Sequence, residues 1–155
     1  MQFYSTNRKT SPVSLREAVV RGLATDRGLF MPEVIRRFPP AFYQNMKEMT
    51  LREISFVVAE AFFGENVEAG KLKEIVDETL NFDIPLVQVA DNRYSLELFH
   101  GPTLAFKDVG ARFMARLLAY FNKQEGERQV NVLVATSGDT GSAVANGFLD
   151  VSGVK

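Results

Sequence analysis

The sequence predicts an α/β fold: a mainly helical N-terminal domain, then the first βαβ elements of a second domain whose sheet is incomplete. Three observations predict it. Apolar residues recur at helical spacing in several segments, two of which open on capping residues. A β-branched run, Val130, Val132, Leu133 and Val134, breaks at a turn of small residues and resumes as helix formers. Before it, the stretch ELFHGPTLAFKD (Glu97 to Asp108) sets one lysine at the start of a further helical segment.

The helical domain spans residues 1–83. Ser14 with Glu17, and Thr50 with Glu53, have the S/T-x-x-E spacing in which each side chain satisfies the other's free backbone N–H. From Leu51 an apolar stripe runs through Ile54, Val57, Val58, Ala61 and Phe62, and Gly64 stands where a glycine ends a helix. Leu72, Ile75, Val76 and Leu80 repeat the pattern within Lys71 to Leu80. Arg36 to Tyr43, with Pro39-Pro40, is predicted as a helix-breaking connection.

The second domain spans residues 84–155. Leu86 to Val89 is predicted as a strand, Asn92 to Tyr94 as a turn, and Ser95 to Phe99 as the next strand. Phe106, Val109, Phe113, Leu117, Tyr120 and Phe121 then lie on one face of a helix. Asp108 and Arg112 stand four apart with the acid first, which predicts an exposed ion pair on that helix. With the Val130 strand these elements make a βαβ-type unit.

Composition narrows the function. With 46% hydrophobic and 24% charged residues, the 155-residue chain has the balance of a globular protein with a core. A net charge of −1 gives no electrostatic case for nucleic acid or for a membrane surface. No apolar run reaches membrane-spanning length, and MQFYSTNRK lacks the apolar core of a secretion signal, so a cytoplasmic location is expected. Without cysteine, and with His100 the single histidine, neither a disulfide framework nor a thiolate or histidine metal centre is expected.

Lys107 carries the chemistry. A lysine at a helix start beside apolar residues reads either as an exposed side chain snorkelling to water or as a nucleophile. In the second reading partial burial and the helix dipole favour the neutral amine, which condenses with an aldehyde to a Schiff base. The adjacent Asp108 opposes that by holding the amine charged. The second motif, VNVLVATSGDTGSAVA (Val130 to Ala145), has the strand–turn–helix layout that aims backbone N–H groups at an anion. Ser137, Thr140 and Ser142 add hydroxyl donors, and Gly138 and Gly141 permit close approach. A carboxylate or phosphate is the natural guest, and a capped βα turn without ligand is the bland alternative. The loop is neither a Walker A sequence nor a GxGxxG dinucleotide turn. Asp139 suits a hydroxyl or a cationic nitrogen better than an anion.

These two motifs resemble those of the threonine synthase family, pyridoxal-phosphate (PLP) enzymes with the tryptophan synthase β-like fold. The resemblance extends upstream, through Phe3-Tyr4-Ser5-Thr6 followed by Arg8, Val13 to Val19, and Gly22 to Asp26. The family's Ser-Thr-Arg is interrupted here by Asn7, and its Gly-Gly-Leu turn reads Arg27-Gly28-Leu29. The resemblance implies that Lys107, in HGPT-x-x-F-K-D, binds pyridoxal 5'-phosphate covalently and serves as the catalytic base. It implies that Ser137, Gly138, Thr140 and Gly141 bind the substrate carboxylate, that Asp139 lies at the cofactor, and that His100 can line the site.

The activity it implies is conversion of O-phospho-L-homoserine and water to L-threonine and phosphate. The family's chains are much longer, so this chain is expected to be an N-terminal fragment, inactive alone, with the remainder of its own chain as partner. Two other readings share these residues: a PLP-dependent phospholyase or dehydratase giving a 2-oxo acid, and a non-catalytic homologue that binds anions or a partner protein.

Overall fold

The computed structural model describes residues 1–124, 126, 129–136 and 138–154. The chain divides into two compact units, Met1–Val76 and Asp77–Lys155.

The first unit opens with a three-stranded antiparallel sheet in the order β2–β1–β3, made by β1 (Gln2–Ser5), β2 (Val13–Ser14) and β3 (Phe30–Pro32). Phe3 pairs with both Val13 and Pro32, and its side chain is buried with Leu15, Ala18 and Val19 of α1 (Leu15–Arg21). Ser14 accepts from the Glu17 N–H as predicted, but Glu17 turns its carboxylate to Arg21, 3.2 Å away, so only half of this capping box forms. The box at Thr50 is complete and starts α3 (Leu51–Phe63), which ends at Gly64.

Pro39-Pro40 starts a helix rather than only breaking one. Pro40 is the first residue of α2 (Pro40–Asn45), where its fixed φ fits and its missing N–H would have had no partner. A 3₁₀ turn (Met46–Glu48) follows. In α4 (Ala69–Thr79) the predicted apolar positions Leu72, Ile75 and Val76 are buried, as is Leu80 just after it. Glu68 caps this helix, its carboxylate accepting from the N–H groups of Gly70 (2.8 Å) and Lys71 (3.0 Å).

In the second unit, β4 (Leu86–Ala90) and β5 (Arg93–Leu96) form an antiparallel hairpin turning at Asn92, whose φ is 55°. The strand predicted to Phe99 ends at Leu96, because Leu86 is its last paired partner. The strand predicted at Val130–Val134 reduces to one parallel bridge between Val130 and Val154, and Leu133 is 94% exposed. An apolar run becomes a buried strand only where neighbouring strands flank it. The described residues supply a single pairing.

Two helices dominate this unit, α5 (Lys107–Gln124) and α6 (Asp139–Phe148). They pack through small residues. Ala115 and Ala143 are fully buried, and a Cβ on Gly147 would lie 3.0 Å from the Ala111 carbonyl carbon. Such close approach brings two helix backbones together and fixes the end of α6 relative to α5.

The buried face of α5 differs from the predicted stripe. Leu117 and Phe121 are buried as expected, but Phe106 precedes the helix and is mostly exposed. Asp108, Arg112 and Asn122 are buried instead. Asp108 and Arg112 are thus not an exposed pair, and each finds other partners. The Arg112 guanidinium donates to the Glu78 carbonyl (2.6 Å) and to Asn81 Oδ1 (2.9 Å), closing the C-terminal turn of α4. Burial, more than any neighbouring charge, lowers its pKa.

Candidate active site

Lys107 is the first residue of α5, and the turn before it sets its direction. The Leu104 N–H donates to the Gly101 carbonyl and the Asp108 N–H to the Ala105 carbonyl, both at 3.0 Å. Leu104 takes a left-handed φ of 58°. Ala105 is buried, so Leu104 and Phe106 point outward on either side of it.

The Lys107 side chain is 33% exposed, neither sealed in the core nor free in water. Its Nζ lies 4.6 Å from the centre of the Phe106 ring, over its face, and 3.8 Å from Asp139 Oδ2. Asp139 is the first residue of α6. The lysine motif and the glycine-rich loop, some thirty residues apart in sequence, therefore meet at the N-terminal ends of two helices.

The loop is built to leave donors available. Gly138 is the N-cap of α6 and, lacking a side chain, gives the first turn no capping hydrogen bond. The Gly141 N–H returns to the Gly138 carbonyl at 2.9 Å, which closes the turn. A Cβ at Gly141 would stand 2.4 Å from Thr136 Cγ2, so the turn needs glycine there. Gly138, Asp139 and Thr140 are exposed. Ser137 lies outside the described residues.

His100 sits apart from that meeting in its bonding. Its Nε2 lies 2.7 Å from Glu97 Oε2, and its ring packs on Phe99 with 4.7 Å between centres. Among the described residues no group of three or more His, Cys, Asp or Glu side chains could hold a metal ion. No helix among them is long and apolar enough to cross a membrane.

The sequence motifs named Lys107 and the loop but missed what shapes them. Asp108 is fully buried and accepts from the Thr103 N–H (2.9 Å) and hydroxyl (2.6 Å). A Cβ on Gly101 would lie 2.6 Å from Asp108 Oδ2 and 2.9 Å from Phe82 Cζ. The signal for this was present in the spacing, a Gly-Pro-Thr turn with an acid five residues beyond the threonine.

Residues 2–80, just over half of the chain, match the family model described as the threonine synthase N terminus. The chain belongs to the threonine synthase family. It is 40% identical to threonine synthase of Serratia marcescens over 155 residues, covering 100% of this chain and 35% of that one. The crystal structure of threonine synthase from Escherichia coli superposes with a TM-score of 0.90 at 38% identity, over 100% of this chain and 36% of the other. The PLP-bound threonine synthase from Brucella melitensis superposes with a TM-score of 0.93 at 34% identity, over 99% of this chain and 34% of the other. The α/β fold is thus that of the N-terminal region of threonine synthases, and the chain spans about a third of these relatives' length.

Proposed function

We propose that the protein containing this chain is a cytoplasmic threonine synthase, converting O-phospho-L-homoserine and water to L-threonine and phosphate with PLP held on Lys107. The observation that carries the reading is the meeting of Lys107 with the N-terminus of α6, at 3.8 Å between Nζ and Asp139 Oδ2. The residues fit the cofactor: the amine is exposed enough for an aldehyde to reach, and an uncapped helix N-terminus lies beside it. Membership of the family and the PLP-bound relative support the same assignment.

When bound, the cofactor supplies an electron sink that lets a proton leave Cα and phosphate leave Cγ. This chain's own groups do the rest. The Lys107 amine takes the proton from Cα and returns protons along the carbon chain. Backbone N–H groups at the start of α6, with the Thr140 hydroxyl, hold the substrate carboxylate, and Gly138 and Gly141 keep the loop open to it. Asp139 keeps a negative charge near the lysine and the cofactor. His100, held by Glu97, lines the approach from the Gly101 turn.

Much of β4–β5 supports reading this chain as one part of a longer enzyme. Leu86, Val89, Tyr94 and Leu96 are each more than half exposed, which a two-stranded hairpin in water tolerates poorly.

The test gives O-phospho-L-homoserine to the full-length protein with PLP and resolves amino acids, 2-oxo acids and phosphate. Threonine with stoichiometric phosphate is expected. Lys107→Ala loses a nucleophile and a base together, so turnover falls by several orders of magnitude, on the order of 10³-fold or more. Phosphate with 2-oxobutyrate would reassign the protein as a phospholyase, and near-native turnover by Lys107→Ala would remove the lysine from the chemistry.

A further inference from the structure

Asp108 follows the proposed cofactor lysine directly, and its carboxylate is fully buried. A buried carboxylate needs compensation, by a counter-ion or by hydrogen bonds. Neither of the two cations nearest in sequence hydrogen-bonds Asp108, although the Arg112 charge is close enough to interact with it. Lys107 pairs with Asp139, and the Arg112 guanidinium donates to the Glu78 carbonyl and Asn81. Both oxygens of Asp108 are satisfied by a single residue, Thr103. Oδ2 accepts its backbone N–H at 2.9 Å, and Oδ1 accepts its hydroxyl at 2.6 Å.

We infer that Asp108 is a positioning residue for the proposed reaction, holding the turn that presents Lys107 through two hydrogen bonds from Thr103 rather than through its charge. The inference rests on the reading of Lys107 as the cofactor lysine. An acid beside such a lysine invites a role as proton relay, but a relay needs an oxygen aimed at the reacting atoms. Asp108 has both oxygens turned back onto its own loop. What it closes is the segment from Gly101 to Asp108, where Leu104 takes a left-handed φ of 58° that disfavours a leucine. A conformation of that kind persists only when its surroundings over-determine it. Gly101 completes the arrangement, since the carboxylate occupies space that any Cβ there would need.

The distinction between hydrogen bonds and charge can be tested. Asparagine at 108 keeps both contacts without the charge: its carbonyl oxygen accepts the Thr103 N–H, and its amide donates to the Thr103 hydroxyl, which can reverse roles. Alanine keeps neither. Thr103→Val loses only the hydroxyl, and Thr103→Ser restores it.

All four variants are made in the full-length protein with PLP. Trapping of cofactor on Lys107 by borohydride is followed by mass, and kcat, KM and the pH profile of kcat are measured with O-phospho-L-homoserine. Asp108→Ala is expected to lower kcat by on the order of 10²-fold, as misplacement of a reacting group by about 1 Å does. Asp108→Asn recovers most of that loss with an unchanged pH profile, and Thr103→Ser recovers what Thr103→Val loses. If Asp108→Ala fails to fold, the Asn variant and the Thr103 pair carry the test alone. Loss of a pH limb in Asp108→Asn would overturn the inference in favour of a relay, and wild-type kcat in Thr103→Val together with Asp108→Ala would overturn it outright. Failure of the unmutated protein to trap cofactor on Lys107 overturns the functional reading itself, and the inference with it.

Discussion

Lys107 Nζ lies 3.8 Å from Asp139 Oδ2, and that contact joins a lysine at the start of one helix to an acid at the start of another. The distance is an ion pair without a tight hydrogen bond, and Asp139 is 72% exposed. Exposed pairs of this kind add about 0–1 kcal/mol to stability. The pair therefore matters more to what surrounds the amine than to the fold.

Replacing Asp139 by asparagine separates those two effects. Thermal unfolding of Asp139→Asn is expected to match the parent protein, because a nearly isosteric exposed side chain loses only a screened charge. Turnover is expected to fall at least tenfold, about 1.4 kcal/mol of transition-state stabilisation, if Asp139 belongs to the cofactor's surroundings. Equal kcat/KM in the two proteins would confine Asp139 to the helix terminus.

Gly101→Ala tests the turn from the other side. The added methyl meets Asp108 Oδ2 at 2.6 Å and Phe82 Cζ at 2.9 Å, and the Asp108 carboxylate is fully buried and held by Thr103. Overpacking of this sort costs about 1–3 kcal/mol. The denaturation midpoint of Gly101→Ala should drop accordingly, and its Lys107 should trap less cofactor. A midpoint equal to the parent's would mean that the turn relaxes freely.

How much of this was legible depended on whether the signal was local. The helix from Leu51 announced its start through Thr50 and Glu53, because a capping box involves residues three apart and nothing else. Lys107 and the loop at Gly138 were legible as motifs for the same reason. The Asp108–Arg112 pair was misread because i,i+4 spacing says which residues are neighbours, not which face is buried. Their partners, Thr103, Glu78 and Asn81, are set by how the chain folds back on itself. The Val130 run shows the same limit: its residues are apolar enough for a strand, but pairing comes from other strands, and among the described residues Val154 alone supplies any. His100 bonds to Glu97, three residues earlier and outside any helix, a contact that neither motif announces.

Asp26 gives a prediction about acid. Its carboxylate accepts from the Ser5 hydroxyl (2.6 Å) and from the N–H groups of Gly28 (3.0 Å) and Lys9 (2.9 Å). Led by the Ser5 bond, these contacts hold its pKa below the ordinary 3.8, against a smaller opposing effect of burial. A carboxylate whose folded pKa is depressed contributes stability that is fully present above its unfolded pKa and is lost as pH falls through the folded value. Asp26→Asn should therefore unfold at lower temperature than the parent at neutral pH. The gap between the two should narrow only below about pH 4, the unfolded value for aspartate. A gap that stays constant down to pH 2–3 would mean that the charge on Asp26 contributes nothing.

The neighbouring turn makes the opposite kind of prediction, a gain. Arg27 has a φ of 68°, in the left-handed region that glycine adopts freely. A residue with a Cβ there costs about 1–2 kcal/mol, while glycine's extra freedom in the unfolded chain costs about 0.5–1 kcal/mol. The difference favours glycine, so Arg27→Gly should stabilise by roughly 0.5–1 kcal/mol. Gly28 cannot be exchanged in the same way, because its Cβ would fall 2.0 Å from Ser5 Oγ and 2.8 Å from the Asn7 nitrogen. Thermal unfolding of Arg27→Gly and Gly28→Ala should move in opposite directions, up for the first and down for the second. A fall in both would show that the Arg27 side chain holds the turn more firmly than its backbone strains it.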